Sequence, residues 1–160
     1  MRDIREALGP AYSGWEEAKA DVVGMFGLKW LVDHGALPKE RVEEFYASYV
    51  AGIFRTVRYG TGEAHGRAEM MEFNYLAEQK AVTRDPATGR YGIDYARMPA
   101  ALATLAQELL AVEATGDGAR AESWLGKYDK MPPELGAALK SAGDVPVYVD
   151  PVFSFPDKVE

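Results

Sequence analysis

Apolar residues recur at helical spacing through most of the chain, and the stretches between those runs are rich in glycine and proline. That alternation predicts a series of helices joined by short turns. Arg2 to Leu8 is short and charged, one or two helical turns closed by Gly9-Pro10. Ser13-Gly14-Trp15-Glu16 has the S-x-x-E spacing of a capping box. There Ser13 would accept an orphan backbone N–H and Glu16 would reach back to the Ser13 amide. The helix expected behind it runs from about Gly14 to Asp33, with Gly35 placed to end it. Its apolar residues, from Trp15 through Val22, Val23, Met25 and Phe26 to Leu28, Trp30, Leu31 and Val32, cover much of the circumference. Such a helix is normally buried on several sides.

Pro38 suits the first position of a second helix, running to about Arg58 before Tyr59-Gly60-Thr61-Gly62 interrupts it. Its buried stripe is expected to be Val42, Phe45, Tyr46, Tyr49, Val50, Ile53, Phe54 and Val57. A third helix is expected from Glu63 to Lys80. Two short runs, Ala81 to Arg84 and Arg90 to Tyr95, then flank Asp85-Pro86-Ala87-Thr88-Gly89 and read as a hairpin. A fourth helix spans about Pro99 to Ala114, and two shorter ones lie near Ala119 to Tyr128 and Pro133 to Ser141. From Asp144 to Pro156, valines and aromatics are interleaved with Pro146, Pro151 and Pro156, which points to an extended strap rather than a sheet strand. The fold class is mainly α: a helical bundle of about five to six helices with a small hairpin and an extended C-terminal strap. Residues 1–160 are expected to form a single helical domain.

Composition narrows the function. With 160 residues and 48% hydrophobic content, the chain can bury roughly 69% of its unfolded surface, so disorder is not expected. A net charge of −7 argues against a nucleic-acid partner, which requires clustered Lys and Arg. No apolar run reaches the ~18 residues of a membrane span, and the charged N-terminus has no signal-peptide core. No membrane partner and a cytoplasmic location are the expectations. The absence of cysteine excludes disulfides, thiolate metal sites and a cysteine nucleophile. The two histidines, His34 and His65, stand 31 positions apart, so no local imidazole pair exists of the kind zinc hydrolases use.

Two segments carry chemistry that packing does not explain. In Glu16-Glu17-Ala18-Lys19-Ala20-Asp21, Glu17 and Asp21 share a helical face and repel each other at the opening of the least polar helix. Carboxylates there call for a cation, a metal or a hydrogen-bond partner. Glu17 could ligate a metal while Asp21, a turn away, orients another ligand's imidazole. The plainer reading has Glu16 capping, Glu17 facing the helix dipole and Asp21 paired with an arginine. The second segment is Gly60-Thr61-Gly62-Glu63-Ala64-His65-Gly66-Arg67-Ala68-Glu69, with Arg55 and Arg58 just before it. Its glycines permit close approach of backbone or ligand, and His65 and the arginines could meet an anionic or carbonyl group. The plainer reading pairs His65 with Glu69 and leaves the glycines to helix packing. His34 reads as a helix C-terminal cap.

EEAKAD at Glu16 to Asp21, the following VVGMFGLKWLVDHG, and FRTVRYGTGEAHGRAEMMEFNYL from Phe54 to Leu76 together resemble the zinc-dependent dipeptidyl-peptidase III family, in its bacterial and plant-type branch. MPAALATLAQELLAVEATGD at Met98 to Asp117 and the VPVYVDPVF tail continue the likeness, so it covers nearly the whole chain. In that family an HEXXGH or HEXXH-like helix gives two histidine ligands and the catalytic glutamate, and an EE-x-K/R-A-D/E helix gives the third ligand. The resemblance implies that Glu17 is the zinc ligand, Asp21 its supporting partner and Glu16 a neighbour supporting the site. It implies that His65 binds substrate or stabilises the tetrahedral transition state, with Arg67 a substrate-binding neighbour. Neither HEXXGH nor HEXXH occurs here, since both histidines are followed by glycine. The chain then corresponds to the C-terminal helical part of such a metallopeptidase, following the first zinc motif. It would provide one ligand of three and no general base.

Whether the chain is itself an enzyme is left open; alone, it is expected to be inactive and to hold zinc weakly if at all. The complete enzyme would take a peptide substrate. The alternative is a non-catalytic helical binding or subunit module, a degenerate relative or one complemented by a partner. A fragment would expose apolar helix faces, so self-association or a missing N-terminal part is the expected partner.

Overall fold

A computed structural model describes residues 3–146. The elements run α1 (Ile4–Leu8), a 3-10 turn at Gly9–Ala11, α2 (Tyr12–Asp33), a second 3-10 turn at Lys39–Arg41, α3 (Val42–Val57), α4 (Ala64–Glu78), β1 (Val82–Arg84), β2 (Tyr91–Ile93), α5 (Met98–Thr115), α6 (Gly118–Tyr128) and α7 (Pro133–Ser141). The class is mainly α, as the periodicity implies: six helices of nine residues or more, a five-residue opening turn and one antiparallel hairpin among the described residues. The expected strap lies outside those residues beyond Pro146.

The 22-residue α2, roughly 33 Å long, is the axis of the molecule. It lies against α4 on one side and α5 on the other, and α6 closes over its first turns. Trp15 is completely buried and donates its indole N–H to the Leu109 carbonyl of α5 at 3.1 Å. Its ring meets Trp124 of α6 edge-on at 6.5 Å. Around this anchor Ala18, Val22, Met70, Met71, Leu76, Leu102, Leu105 and Leu125 form one continuous core.

The expected capping box does not form. The chain enters α2 straight from the 3-10 turn, with Ala11 at the N-cap already in helical dihedrals (φ −74°, ψ −22°) and no side chain capping the helix. A serine cap needs an extended N-cap residue, and Ser13 is instead exposed inside the first turn. The expected burial of α2 on several sides is met only in part beyond its middle. Trp15, Ala18 and Val22 are enclosed, whereas Phe26, Trp30 and Leu31 are 49%, 53% and 41% exposed. Composition sets how apolar a helix is; neighbours set how much of it is covered, and here they bury Val32 but leave the face of Phe26, Trp30 and Leu31 open.

The remaining boundaries follow local chemistry. Gly35 takes a positive φ of 74° just past α2. Tyr46, Val50, Ile53 and Val57 form the fully buried stripe of α3, with Val42, Phe45, Tyr49 and Phe54 half-buried beside them. In the hairpin Val82 pairs with Ile93 and Arg84 with Tyr91, and Asp85 Oδ1 accepts the Ala87 amide at 2.7 Å to fix the turn. Asp117 caps α6 by accepting the Arg120 amide at 3.0 Å.

One close contact sets the geometry of the α3–α4 connection. A Cβ built on Gly66 would lie 2.1 Å from the Gly60 carbonyl oxygen, so only glycine lets the loop press onto the first turn of α4. Gly66→Ala should therefore cost about 2 kcal/mol or more, and Trp15→Ala about 3–5 kcal/mol. Gly24→Ala on the open side of α2, where nothing lies within 4 Å, should be neutral or stabilising by up to ~1 kcal/mol. Urea unfolding of the three variants measures this; equal losses at Gly66 and Gly24 would contradict the packing described.

Candidate active site

The two segments singled out in the sequence meet across the α2–α4 packing. Gly14 lies at this contact, where a Cβ would stand at an ordinary van der Waals distance, 3.9 Å, from the Ala64 carbonyl at the start of α4. Glu17 lies a little under one turn further along α2 and His65 is the second residue of α4. His65 Nε2 and Glu17 Oε2 are 3.1 Å apart, with the side chains 67% and 37% exposed. His65 thus pairs across the helices rather than with Glu69 one turn along its own helix. Both groups stay open to solvent, which a ligand-binding pair requires.

Behind this pair the site becomes drier. Asp21, one turn beyond Glu17, is half-buried, and no arginine or lysine pairs with it among the described residues. Burial, reinforced by the Glu17 charge, raises its carboxyl above the usual range. On α4, Glu69 and Glu72 follow His65 at one-turn and two-turn spacing and line the same side. Burial pushes Glu69 up to about 7, opposed by a hydrogen bond with Thr56 and reinforced by Asp21. Glu72 is wholly inaccessible, and burial carries its carboxyl well above the usual range. Tyr49 of α3 donates its hydroxyl to Glu72 Oε2 at 2.6 Å. One oxygen each of Glu69 and Glu72, Oε2 and Oε1 respectively, is buried without a hydrogen-bond partner. The result is a graded acidic wall, from a solvated Glu17–His65 pair to a buried carboxyl held by a tyrosine.

Two residues named from the sequence are engaged otherwise. Glu16 binds Lys19 at 2.8 Å, and Lys19 also binds Glu113 of α5 at 2.9 Å. Glu16 therefore ties the motif turn to α5. Arg67 donates Nε to Asp129 Oδ2 at 3.0 Å and approaches Glu122 at 3.7 Å. Its guanidinium fastens α4 to the end of α6. His34 lies at the far end of α2, its Nδ1 on the Trp30 carbonyl at 2.8 Å and its ring stacked on Trp30. That is the capping position expected of it.

Glu72 did not stand out in the sequence, while Glu69 figured only as a partner for His65 and Tyr49 only in the buried stripe of α3. The available signal was a pair of acids at helical spacing inside the apolar run Met70, Met71, Phe73, where a solvated face would have been polar throughout.

The fold superimposes on dipeptidyl-peptidase III from Caldithrix abyssi with a TM-score of 0.91 at 33% identity, over 96% of this chain and 29% of that one. The likeness is to dipeptidyl-peptidase III. The enzyme of that name from Corallococcus sp. strain EGB agrees, with a TM-score of 0.86, 34% identity, and 93% and 28% of the two chains covered. By sequence, 154 residues are 39% identical to Nudix hydrolase 3 of Arabidopsis thaliana, covering 96% of this chain and 20% of that protein. No family model matches the chain. The chain thus spans less than a third of the length of each dipeptidyl-peptidase III and a fifth of the plant relative. No helix among the described residues is long and apolar enough to cross a membrane.

The raised Glu69 carboxyl gives a signed prediction. Its folded value of about 7 lies above the ordinary 4.5, so ionising it opposes folding increasingly from pH 4.5 to 7 and fully above that. Glu69→Gln should gain about 1–2 kcal/mol at pH 8, discounted for its partial exposure, and lose most of that gain by pH 5. Thermal unfolding at the two pH values measures it; an equal shift at both would contradict the assignment.

Proposed function

We propose that the chain forms one side of the active site of a zinc-dependent, dipeptidyl-peptidase III-like metallopeptidase, and that by itself it is inactive. The observation that carries this reading is the 3.1 Å pairing of Glu17 with His65 across α2 and α4, in a fold that matches dipeptidyl-peptidase III over nearly the whole chain. Glu17 suits a carboxylate ligand, being half-exposed and held only by a histidine that can move aside. Asp21 suits a partner for a ligating imidazole, because it sits one turn deeper with no lysine or arginine of its own among the described residues. Among those residues no group of three or more His, Asp or Glu side chains is placed to hold a metal ion. The fit is therefore that of one donor in a set completed by other parts of the enzyme.

Zinc, when bound, supplies Lewis-acid activation of a peptide carbonyl and of water. The work of this chain's own residues is positional and electrostatic. Glu17 contributes negative charge to the metal position, and Glu16, through Lys19 and Glu113, fixes the turn that carries it. His65, released from Glu17, would present an N–H donor where charge develops on the substrate oxygen, the kind of contact worth ~3–4 kcal/mol of transition-state stabilisation. The exposed strip of Phe26, Trp30 and Leu31 accords with a cover supplied by the remainder of the enzyme or by a second copy.

Exchanging this chain for the matching segment of the Caldithrix abyssi enzyme tests the reading. The folded chimera should bind zinc and release dipeptides from a dipeptidyl-2-naphthylamide, with Glu17→Ala costing zinc and His65→Ala lowering kcat by ~100-fold or more. The isolated chain should show no turnover. A folded chimera without zinc or activity, or turnover by the isolated chain, would contradict it.

A further inference from the structure

A cavity of about 510 Å³ opens beside His65, which lines it together with Arg55, Thr56, Gly60, Glu63 and Gly66 among others. Its size is that of a small-ligand site. We propose that this cavity is a carboxylate-binding subsite in which Arg55 takes the carboxylate of a short peptide lying against His65. The placement deepens the peptidase reading and rests on it for the identity of the ligand as a peptide.

Arg55 stands in the last turn of α3 with its side chain exposed. Arg41, Arg67, Arg97 and Arg120 each pair with a carboxylate, whereas the Arg55 side chain, like those of Arg84 and Arg90, makes no ion pair or hydrogen bond among the described residues. Glu69 feels the Arg55 charge but takes its hydrogen bond from Thr56. A guanidinium left unpaired at the mouth of a cavity is the group best shaped to take a carboxylate by two parallel hydrogen bonds. The cavity is also rigidly framed: the Gly60 carbonyl is pressed against Gly66, which fixes the end of α3 relative to the first turn of α4. The backbone positions that carry Arg55 and His65 are thereby set relative to one another. Glu63 on the lining adds a negative charge, which favours a single carboxylate over a dianion.

Titrating the isotopically labelled 160-residue chain with trialanine, its C-terminal amide, and an amide carrying one internal glutamate tests this by NMR. Trialanine should shift the Arg55 side-chain N–H and the His65 and Gly66 amides saturably, with at least about tenfold weaker binding of the simple amide. Arg55→Gln should abolish the difference between acid and amide and Arg55→Lys should restore it in part, both with otherwise unchanged spectra. Binding of the glutamate-bearing amide would assign the site to acidic side chains; its failure alongside trialanine binding would assign it to the chain terminus. Equal binding of acid and amide, insensitivity to Arg55→Gln, or no saturable shift up to ~50 mM overturns the subsite. The titration needs neither metal nor turnover. Its failure leaves the peptidase reading to the chimera, and an inactive chimera with intact Arg55-dependent binding would sink that reading alone.

Discussion

The close packing of α2 on α4 is the constraint from which the rest of the site follows. On the α4 side Gly66 makes room for the loop that precedes the helix, where a Cβ would lie 2.1 Å from the Gly60 carbonyl oxygen. Once the helices are that close, acids at one-turn spacing on each face one another in a partly dry seam. Glu17 and Asp21 come from one side and His65, Glu69 and Glu72 from the other. Burial then raises three of the carboxyls, and only the outermost pair, Glu17 and His65, stays solvated. Charged residues in such a seam oppose folding, and retaining them there is the sort of local inconsistency that marks functional sites.

The anchoring of α2 is divided in the same way. Its first half is locked by Trp15 to α5 and α6 and by the Glu16–Lys19–Glu113 bridge. Its second half carries Phe26, Trp30 and Leu31 into solvent. The motif turn therefore sits on a rigid support, while the far end of the same helix presents apolar surface.

Much of the fold was legible because its boundaries rest on local chemistry. Proline opens α5 and α7, glycine follows α2 and α5, and the Asp85 turn closes the hairpin. The failures came where tertiary context decides. Ser13 has the right neighbours for a cap, but the preceding 3-10 turn brings Ala11 in already helical. The apolar girth of α2 says nothing of which neighbours exist to cover it. At the site, i to i+4 spacing put Glu17 and Asp21 on one face and the glycine-rich segment singled out His65, yet no spacing within either helix could show Glu17 and His65 3.1 Å apart. The burial of Glu69 and Glu72 stayed hidden because a glutamate on a helix usually points to water, and only the facing helix makes these two dry. Arg67, adjacent to His65 in sequence, points around the helix to Asp129 and belongs to another interface.

The most direct test of this arrangement is the state of the His65 ring, read from long-range proton–nitrogen NMR spectra of the wild type and of Glu17→Gln. The account predicts that Nε2 carries a proton in the wild type and that its signals move on substitution of Glu17. The His34 ring, held on the Trp30 carbonyl at the other end of α2, should not respond. Identical His65 signals in both proteins would contradict the pairing across α2 and α4, and with it the site built upon it.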